Sequence, residues 1–308
     1  MTPKNCMLCP RKCGADREHA RGRCGAGAAI CAARAALHQW EEPCISGKAG
    51  SGTVFFSHCT LKCVYCQNHE ISSGGFGAEI TPERLADIFL ELEQAGAVNI
   101  NLVTPTHYTY GVLRALDRVR HRLSVPVVMN TGGYELTETL RLWEGYIDIY
   151  LPDLKYVSAA PAERYSGAGD YFTHASAALL EMKRQQPHPR LEGGLLRRGM
   201  LVRHLVLPGL RRDSLAAVEW LAENLGTEHF LLSLMCQYTP NGRLADFPEI
   251  DRRVTTYEYM SAVSRARELG LRGYTQERGS AQQIYTPEFN LYGIQEVNHV
   301  QRKNRGLF

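Results

Sequence analysis

Short apolar runs alternate along this chain with longer segments whose apolar residues recur every three or four positions. The short runs lie at 53–57, 98–103, 125–129, 146–151, 200–207 and 230–236, with a further one at 271–275. Each is nearly continuous in Val, Ile, Leu, Phe or Met, as expected of strands covered on both faces. Helical spacing fills the intervals at 110–122, 135–144, 171–185, 213–224 and 251–269. An earlier helix opens at Thr81-Pro82, with Thr81 as N-cap and Pro82 in the first turn. Leu85, Ile88, Phe89 and Leu92 share one face of it before Gly96 ends it. Strand and helix in strict alternation predict a parallel sheet with helices outside. The stretch 185–198 contains two prolines and Gly193-Gly194, and reads as a flexible loop.

Polar residues gather where these strands should end. Thr104-Pro105-Thr106-His107-Tyr108 follows the second run, and Asn130-Thr131-Gly132-Gly133-Tyr134 follows the third. The fourth stops at Pro152-Asp153-Leu154-Lys155, two opposite charges after an apolar strand. In the fifth, Arg203 and His204 interrupt apolar neighbours; after the sixth comes Gln237-Tyr238-Thr239-Pro240. A parallel α/β sheet carries its chemistry at the carboxyl ends of its strands, so the five together favour a site there. If the fifth strand is regular, Arg203 and His204 face opposite ways, and His204 reads as a core histidine. His107, after a strand and a proline, is a weaker candidate.

The first run delivers the chain into Cys59-Thr60-Leu61-Lys62-Cys63-Val64-Tyr65-Cys66, which sets three cysteines on one loop, three residues and then two apart. A cluster of four irons normally takes four cysteines, so three leave one iron open for another ligand. The alternatives are a zinc site completed by His58 or His69, or reduced buried thiols. Nine of the ten cysteines fall within the first 66 residues. With no secretory leader evident, such a set points to metal binding in a reducing cytoplasm and away from disulfides.

That loop resembles the CxxxCxxC signature of the radical S-adenosylmethionine (SAM) superfamily. More narrowly, the run 55–68, Thr104-Pro105-Thr106-His107, Asp153-Leu154-Lys155 and Arg203-His204-Leu205-Val206-Leu207-Pro208-Gly209 resemble the pyruvate formate-lyase-activating-enzyme homologues of uncharacterised function. The resemblance implies an α/β fold, a partial (β/α)6 TIM-like barrel of the radical SAM type, with a small cysteine-rich N-terminal segment. It implies a 4Fe-4S cluster on Cys59, Cys63 and Cys66, and SAM cleaved there to a 5′-deoxyadenosyl radical. Tyr65, Thr104, Asn130, Asp153, Lys155 and Arg203 are then the expected SAM contacts. Many of these enzymes carry Gly-Gly-Glu after the second strand to hold the SAM amino group; this chain has Thr104-Pro105-Thr106 instead. For Asp153, Lys155 and Arg203 the plain alternative is a structural ion pair.

A second group, Cys6, Cys9, Cys13 and Cys24, has metal-site spacing, with glycines around its last member in Gly22-Arg23-Cys24-Gly25. It leaves zinc and an auxiliary cluster both open. A metal would suit a segment too short to bury a core of its own. Cys31, among alanines, reads as a buried helical residue. Glu41 and Glu42 are adjacent carboxylates before a Gly-rich loop that lacks Walker spacing; substrate binding and loop capping both remain open for them.

The domains expected are a cysteine-rich segment at 1–50, a barrel at 51–280 and an extension at 281–308. A net charge of +3 gives no general case for nucleic acid, and no apolar run approaches the roughly 20 residues that span a membrane. The basic run Gln301-Arg302-Lys303-Asn304-Arg305 reads as a solvated tail. The function expected is hydrogen abstraction by a SAM-derived radical in a cytoplasmic enzyme, with a glycyl-radical protein as a candidate substrate. Its electron donor would be a flavodoxin or ferredoxin. The alternatives are radical modification of another peptide or small molecule, and a non-catalytic iron–sulfur electron carrier.

Overall fold

A computed structural model describes residues 4–276 and 287–295. Its first strand is β1 (Ile30–His38), followed by the short helix α1 (Pro43–Ser46) and β2 (Ser51–Phe56). Next come α2 (His69–Ser72), β3 (Ala78–Ile80), α3 (Pro82–Gln94), β4 (Ile100–Val103) and α4 (Thr109–Val119). The chain continues through β5 (Val127–Thr131), α5 (Thr137–Leu142), β6 (Ile149–Pro152), α6 (Ala159–Ser166) and α7 (Tyr171–Gln185). It closes with β7 (Arg190–Glu192), β8 (Leu195–Leu205), α8 (Arg211–Leu225), β9 (Leu231–Met235), α9 (Thr256–Glu268) and β10 (Gly273–Thr275). The Thr81 cap is present: its hydroxyl accepts from the Arg84 N–H at 3.1 Å.

Strands β2, β4, β5, β6, β8, β9 and β10 pair in that order, every neighbouring pair parallel. On the far side of β2 the sheet continues through β1 and β3, both pairings antiparallel. The fold is the expected α/β type, with a mostly parallel sheet that is not closed into a barrel. Alternate residues divide the strands into two faces. Val54, Leu102, Met129, Tyr150, Val202 and Leu232 pack in the main core, which also holds buried apolar residues of helices α3 to α9. Val128, Ile149, Leu151, Leu201 and Leu231 face the other way, onto Cys44 and Ile45 of α1. Helix α1 therefore plugs the inner face, and the polar residues nearer the strand ends lie beyond it.

Two local expectations are corrected. Cys31 sits in β1, paired with Glu79 of β3, and not in a helix. Its alanine neighbours suggested helix because alanine favours helices intrinsically, but pairing on both edges outweighs that weak preference. The loop expected at 185–198 is largely a hairpin between β7 and β8. Gly193 and Gly194 turn it with φ of 58° and 81°, the left-handed pair that a two-residue turn requires. The proposed extension at 281–308 lies mostly outside the described residues, as does the basic run 301–305.

Candidate active site

The loop that leaves β2 carries Cys59, Cys63 and Cys66, and polar groups approach each sulfur. The Leu61 N–H lies 3.4 Å from Cys59 Sγ, and the Ser72 hydroxyl 3.4 Å from Cys66 Sγ. The Ser166 hydroxyl donates to Cys63 Sγ at 3.0 Å. His58 and Lys62 adopt left-handed backbones, with φ of 72° and 53°, which turn the loop tightly. Burial pushes the Cys59 thiol up to about 12, and the neighbouring Cys63 and Cys66 reinforce it. Burial, with Cys63 alongside, also raises Cys66. Such thiols are protonated at neutral pH, so metal loading here releases protons.

Three thiols on one short loop, each met by a hydrogen-bond donor, fit the three-cysteine side of a 4Fe-4S cluster. A tetrahedral zinc would hold its sulfurs roughly 3.8 Å apart, from its usual bond length. Among the described residues no three cysteine or histidine ligand atoms lie within 4.8 Å of one another.

Below the loop, a line of alternating charge runs down the inner face of the sheet. Lys155 Nζ donates to Asp153 Oδ2 at 2.6 Å, and Asp153 Oδ1 accepts from Arg203 Nε at 2.8 Å. Arg203 also donates to Glu41 Oε2 at 3.1 Å and to Asn130 Oδ1 at 2.6 Å. Asn101 and Asn130 both donate to the other oxygen of Glu41, at 3.1 and 3.3 Å. Burial alone would raise the Asp153 carboxyl, but Arg203 and Lys155 outweigh it and hold it below its ordinary 3.8. Glu41 and Glu42 go the other way: burial raises both, with Arg203 only partly opposing it. One Glu42 oxygen is buried without a partner. A cavity of about 330 Å³ opens beside this line, bordered by Glu41, Glu42, Arg203, Ser233, Gln237 and Tyr274.

Of the residues expected to contact SAM, Asn130, Asp153, Lys155 and Arg203 are thus in one hydrogen-bonded group. Thr104 joins it through its backbone, its N–H donating to the Asn130 carbonyl at 2.8 Å. It does so with φ of 59°, a conformation costly for a β-branched residue. Tyr65 is elsewhere: it is buried, edge-on to Tyr165 and Tyr238, with its hydroxyl bonded to Tyr156 at 2.7 Å. Gly133 lets the loop after β5 press on the Asp153 backbone, since a Cβ there would stand 2.2 Å from the Asp153 carbonyl oxygen. His204 is a satisfied core residue, held by the Leu154 carbonyl and the Ser214 hydroxyl. His107 is also buried, its Nε2 2.8 Å from the Ser57 carbonyl.

Cys6, Cys9, Cys13 and Cys24 form a separate group. Burial pushes the Cys9 thiol up to about 12, with smaller contributions from Glu135, Cys24 and Cys6. Burial likewise raises Cys24, which feels Cys6 and Cys13.

Three contributors were not foreseen. Ser166 reaches Cys63 across 103 positions, Arg11 reaches Thr60 across 49, and Glu135 lies under the loop after β5. Glu135 accepts from Thr106 at 2.8 Å and from Thr131, while its second oxygen is buried without a partner. Burial raises its carboxyl to about 7, against the two threonine hydrogen bonds. The protonated form is therefore favoured by folding. Its stabilisation is complete below the unfolded value near 4.5 and is lost as pH rises through about 7. From pH 4.5 to pH 8 the protein should lose about 3 kcal/mol through this group, an order-of-magnitude figure. Glu135→Gln should flatten that slope in urea unfolding at several pH values. An unchanged slope would place the titration elsewhere.

Residues 53–185 match the family model described as the Radical SAM superfamily. Over that stretch the chain is similar to the radical SAM superfamily. The match spans the cysteine loop, Thr104, Asn130, Asp153 and Lys155, and stops before Arg203. Radical SAM proteins work with a 4Fe-4S cluster and SAM, and the three-cysteine loop fits the first of these. An uncharacterized protein of Methanocaldococcus jannaschii is 29% identical over 278 residues, which cover 87% of this chain and 76% of that protein. SuiB of Streptococcus suis, solved with its precursor peptide SuiA, overlays at 14% identity and a TM-score of 0.47. That overlay covers 71% of this chain and 46% of SuiB, so this chain spans about half of SuiB. A domain of pyruvate-formate lyase-activating enzyme from Bacteroides vulgatus overlays at 12% identity and a TM-score of 0.36, covering 64% and 91%. No helix among the described residues is long and apolar enough to cross a membrane.

Proposed function

We propose that this chain is a radical SAM enzyme of the cytoplasm that abstracts hydrogen from a substrate, with a glycine of a glycyl-radical protein as the first candidate. The observation that carries the reading is the three-cysteine loop lying against the row Lys155, Asp153, Arg203 and Glu41: Leu61 of the loop and Lys155 come within 3.0 and 3.4 Å of where a Cβ on Gly132 would stand. When bound, the cluster and SAM supply one-electron cleavage of SAM to a 5′-deoxyadenosyl radical.

The chain's own residues then have distinct tasks. Cys59, Cys63 and Cys66 hold the cluster, and Ser166 donates to one sulfur. Asp153, kept ionised by its two cations, can accept from an ammonium or from ribose hydroxyls. Lys155, 2.6 Å from Asp153, orients it and leaves further N–H donors for a carboxylate. All three guanidinium nitrogens of Arg203 already meet protein acceptors, so its first task is to hold Asp153, Glu41 and Asn130 in place. The cavity beside Glu41 and Glu42 is open to substrate, and its carboxylates suit a cationic or hydrogen-bond-donating group. The glycyl-radical assignment rests on the motif resemblance, with a flavodoxin or ferredoxin as the electron donor.

Reconstituted without oxygen and reduced with dithionite, the protein should convert SAM to 5′-deoxyadenosine. A full, reducible cluster that neither binds SAM nor yields product would overturn the proposal and leave an electron carrier. Incubation with a candidate glycyl-radical protein should produce a glycine-centred radical signal in electron paramagnetic resonance. Product formation without that signal on any such partner would redirect the substrate to another peptide or a small molecule.

A further inference from the structure

We propose that Cys6, Cys9, Cys13 and Cys24 hold a second iron–sulfur cluster, one with no open iron. The proposal goes beyond the activity above and stands separately from it.

The two cysteine sets are built alike. Cys6-Met7-Leu8-Cys9-Pro10-Arg11-Lys12-Cys13 spaces its cysteines two residues and then three apart, the reverse of the order at Cys59, Cys63 and Cys66. Each three-residue gap ends in a lysine with a left-handed backbone: Lys12 at φ 40° and Lys62 at φ 53°. In the N-terminal turn the Lys12 N–H donates to the Cys9 carbonyl at 3.0 Å. Sulfur is met by donors in both sets. Arg17 lies 3.7 Å from Cys6 Sγ, and the Ala26 N–H 3.5 Å from Cys24 Sγ.

Cys24 supplies what the other loop lacks, a fourth thiol. Its sulfur and that of Cys13 both lie close to Gly22, 3.3 and 3.5 Å from where a Cβ at that residue would stand. A side chain at Gly22 would crowd both sulfurs. Spacing separates cluster from zinc. Tetrahedral zinc brings sulfurs to roughly 3.8 Å of one another. No three of the four do so even within 4.8 Å, which is also true of the loop whose family uses a cluster. Four cysteines complete the coordination of a 4Fe-4S cluster, so this one has no site for SAM.

The second set also abuts the first. Arg11, between Cys9 and Cys13, donates to the carbonyls of Thr60 at 3.0 Å, of Ser166 at 2.8 Å, and of Gly167. Thr60 lies between Cys59 and Cys63, and Ser166 is the donor to Cys63. The N-terminal loop is thus fixed onto the cluster loop itself.

The test compares the full chain with the triple variant Cys59→Ala/Cys63→Ala/Cys66→Ala, both reconstituted anaerobically with iron and sulfide. The variant should keep about four iron and four labile sulfide per chain, roughly half the wild-type content. Its reduced electron paramagnetic resonance signal should be unchanged by SAM. Cys9→Ser/Cys24→Ser should lose the complementary half while its remaining signal still responds to SAM, which guards against misfolding of the triple variant. Stoichiometric zinc without sulfide at these cysteines, or loss of all iron from the triple variant while Cys9→Ser/Cys24→Ser keeps the full wild-type amount, would overturn the proposal. Equal iron in wild type and triple variant would instead remove the SAM-cluster reading and leave this one standing.

Discussion

Cys63→Ala should leave the protein folded and reduce 5′-deoxyadenosine formation by more than about a hundredfold. Loss of a group that only supports a metal ligand already costs some 10- to 100-fold in affinity or activity, so loss of the ligand costs more. The fold has little at stake in this sulfur. Cys63 lies on a loop, not in a strand of the sheet, and truncating one small buried side chain costs about 1 kcal/mol. Ser166→Ala is the informative companion. It removes the hydroxyl that donates to Cys63 Sγ at 3.0 Å but keeps all three thiols. The cluster should load fully and its midpoint potential move to more negative values, because a hydrogen bond to sulfur favours the more negatively charged reduced state. Cys63→Ala that made product at the wild-type rate would exclude this loop from the chemistry. Wild-type potential in Ser166→Ala would make that contact a packing feature.

Much of the architecture was legible because parallel strands covered on both faces are near-continuous apolar runs, and each such run became a strand within a few residues. The site was legible where it broke that pattern: Asn130, Asp153 and Arg203 are polar in segments that are otherwise buried, and Arg203 bonds to both of the others. The row's fourth member was harder to place. Glu41 precedes the sheet's parallel part by chain order, and only the packing of α1 against the inner face brings it 3.1 Å from Arg203. Strand β1 was missed because ICAARAALH satisfies a helix's preferences locally, and only its partners β2 and β3 decide otherwise. Ser166, Arg11 and Glu135 had no local signal: a serine at a helix end, an arginine in a basic stretch and a glutamate after a tyrosine are common. Their roles come from contacts closed by the whole fold.

Arg203→Ala should destabilise the protein by about 3–5 kcal/mol, the range for removing one partner of a buried ion pair. Arg203 neutralises two carboxylates at once, Asp153 at 2.8 Å and Glu41 at 3.1 Å, with no more than 16% of any of the three side chains exposed. Without it Lys155 still pairs with Asp153, but Glu41 keeps only two amide donors. The sign of the pH dependence separates this electrostatic loss from simple loss of packing. In the native protein the Asp153 carboxyl sits below its ordinary value, so its contribution is present above pH 3.8 and fades as pH falls through the lower, folded value. Glu41 is raised by burial even with Arg203 present, and removal of the guanidinium raises it further. Its folded state then favours the protonated form, and the variant's deficit should grow as pH rises from 5 to 8. Urea unfolding at those two values measures it. Glu41→Gln in the Arg203→Ala background should recover part of the deficit at pH 8 and little at pH 5. A deficit that is the same at both pH values would mean that Arg203 stabilises the inner face by filling space, and that the charged row beneath the cysteine loop is not an electrostatic unit.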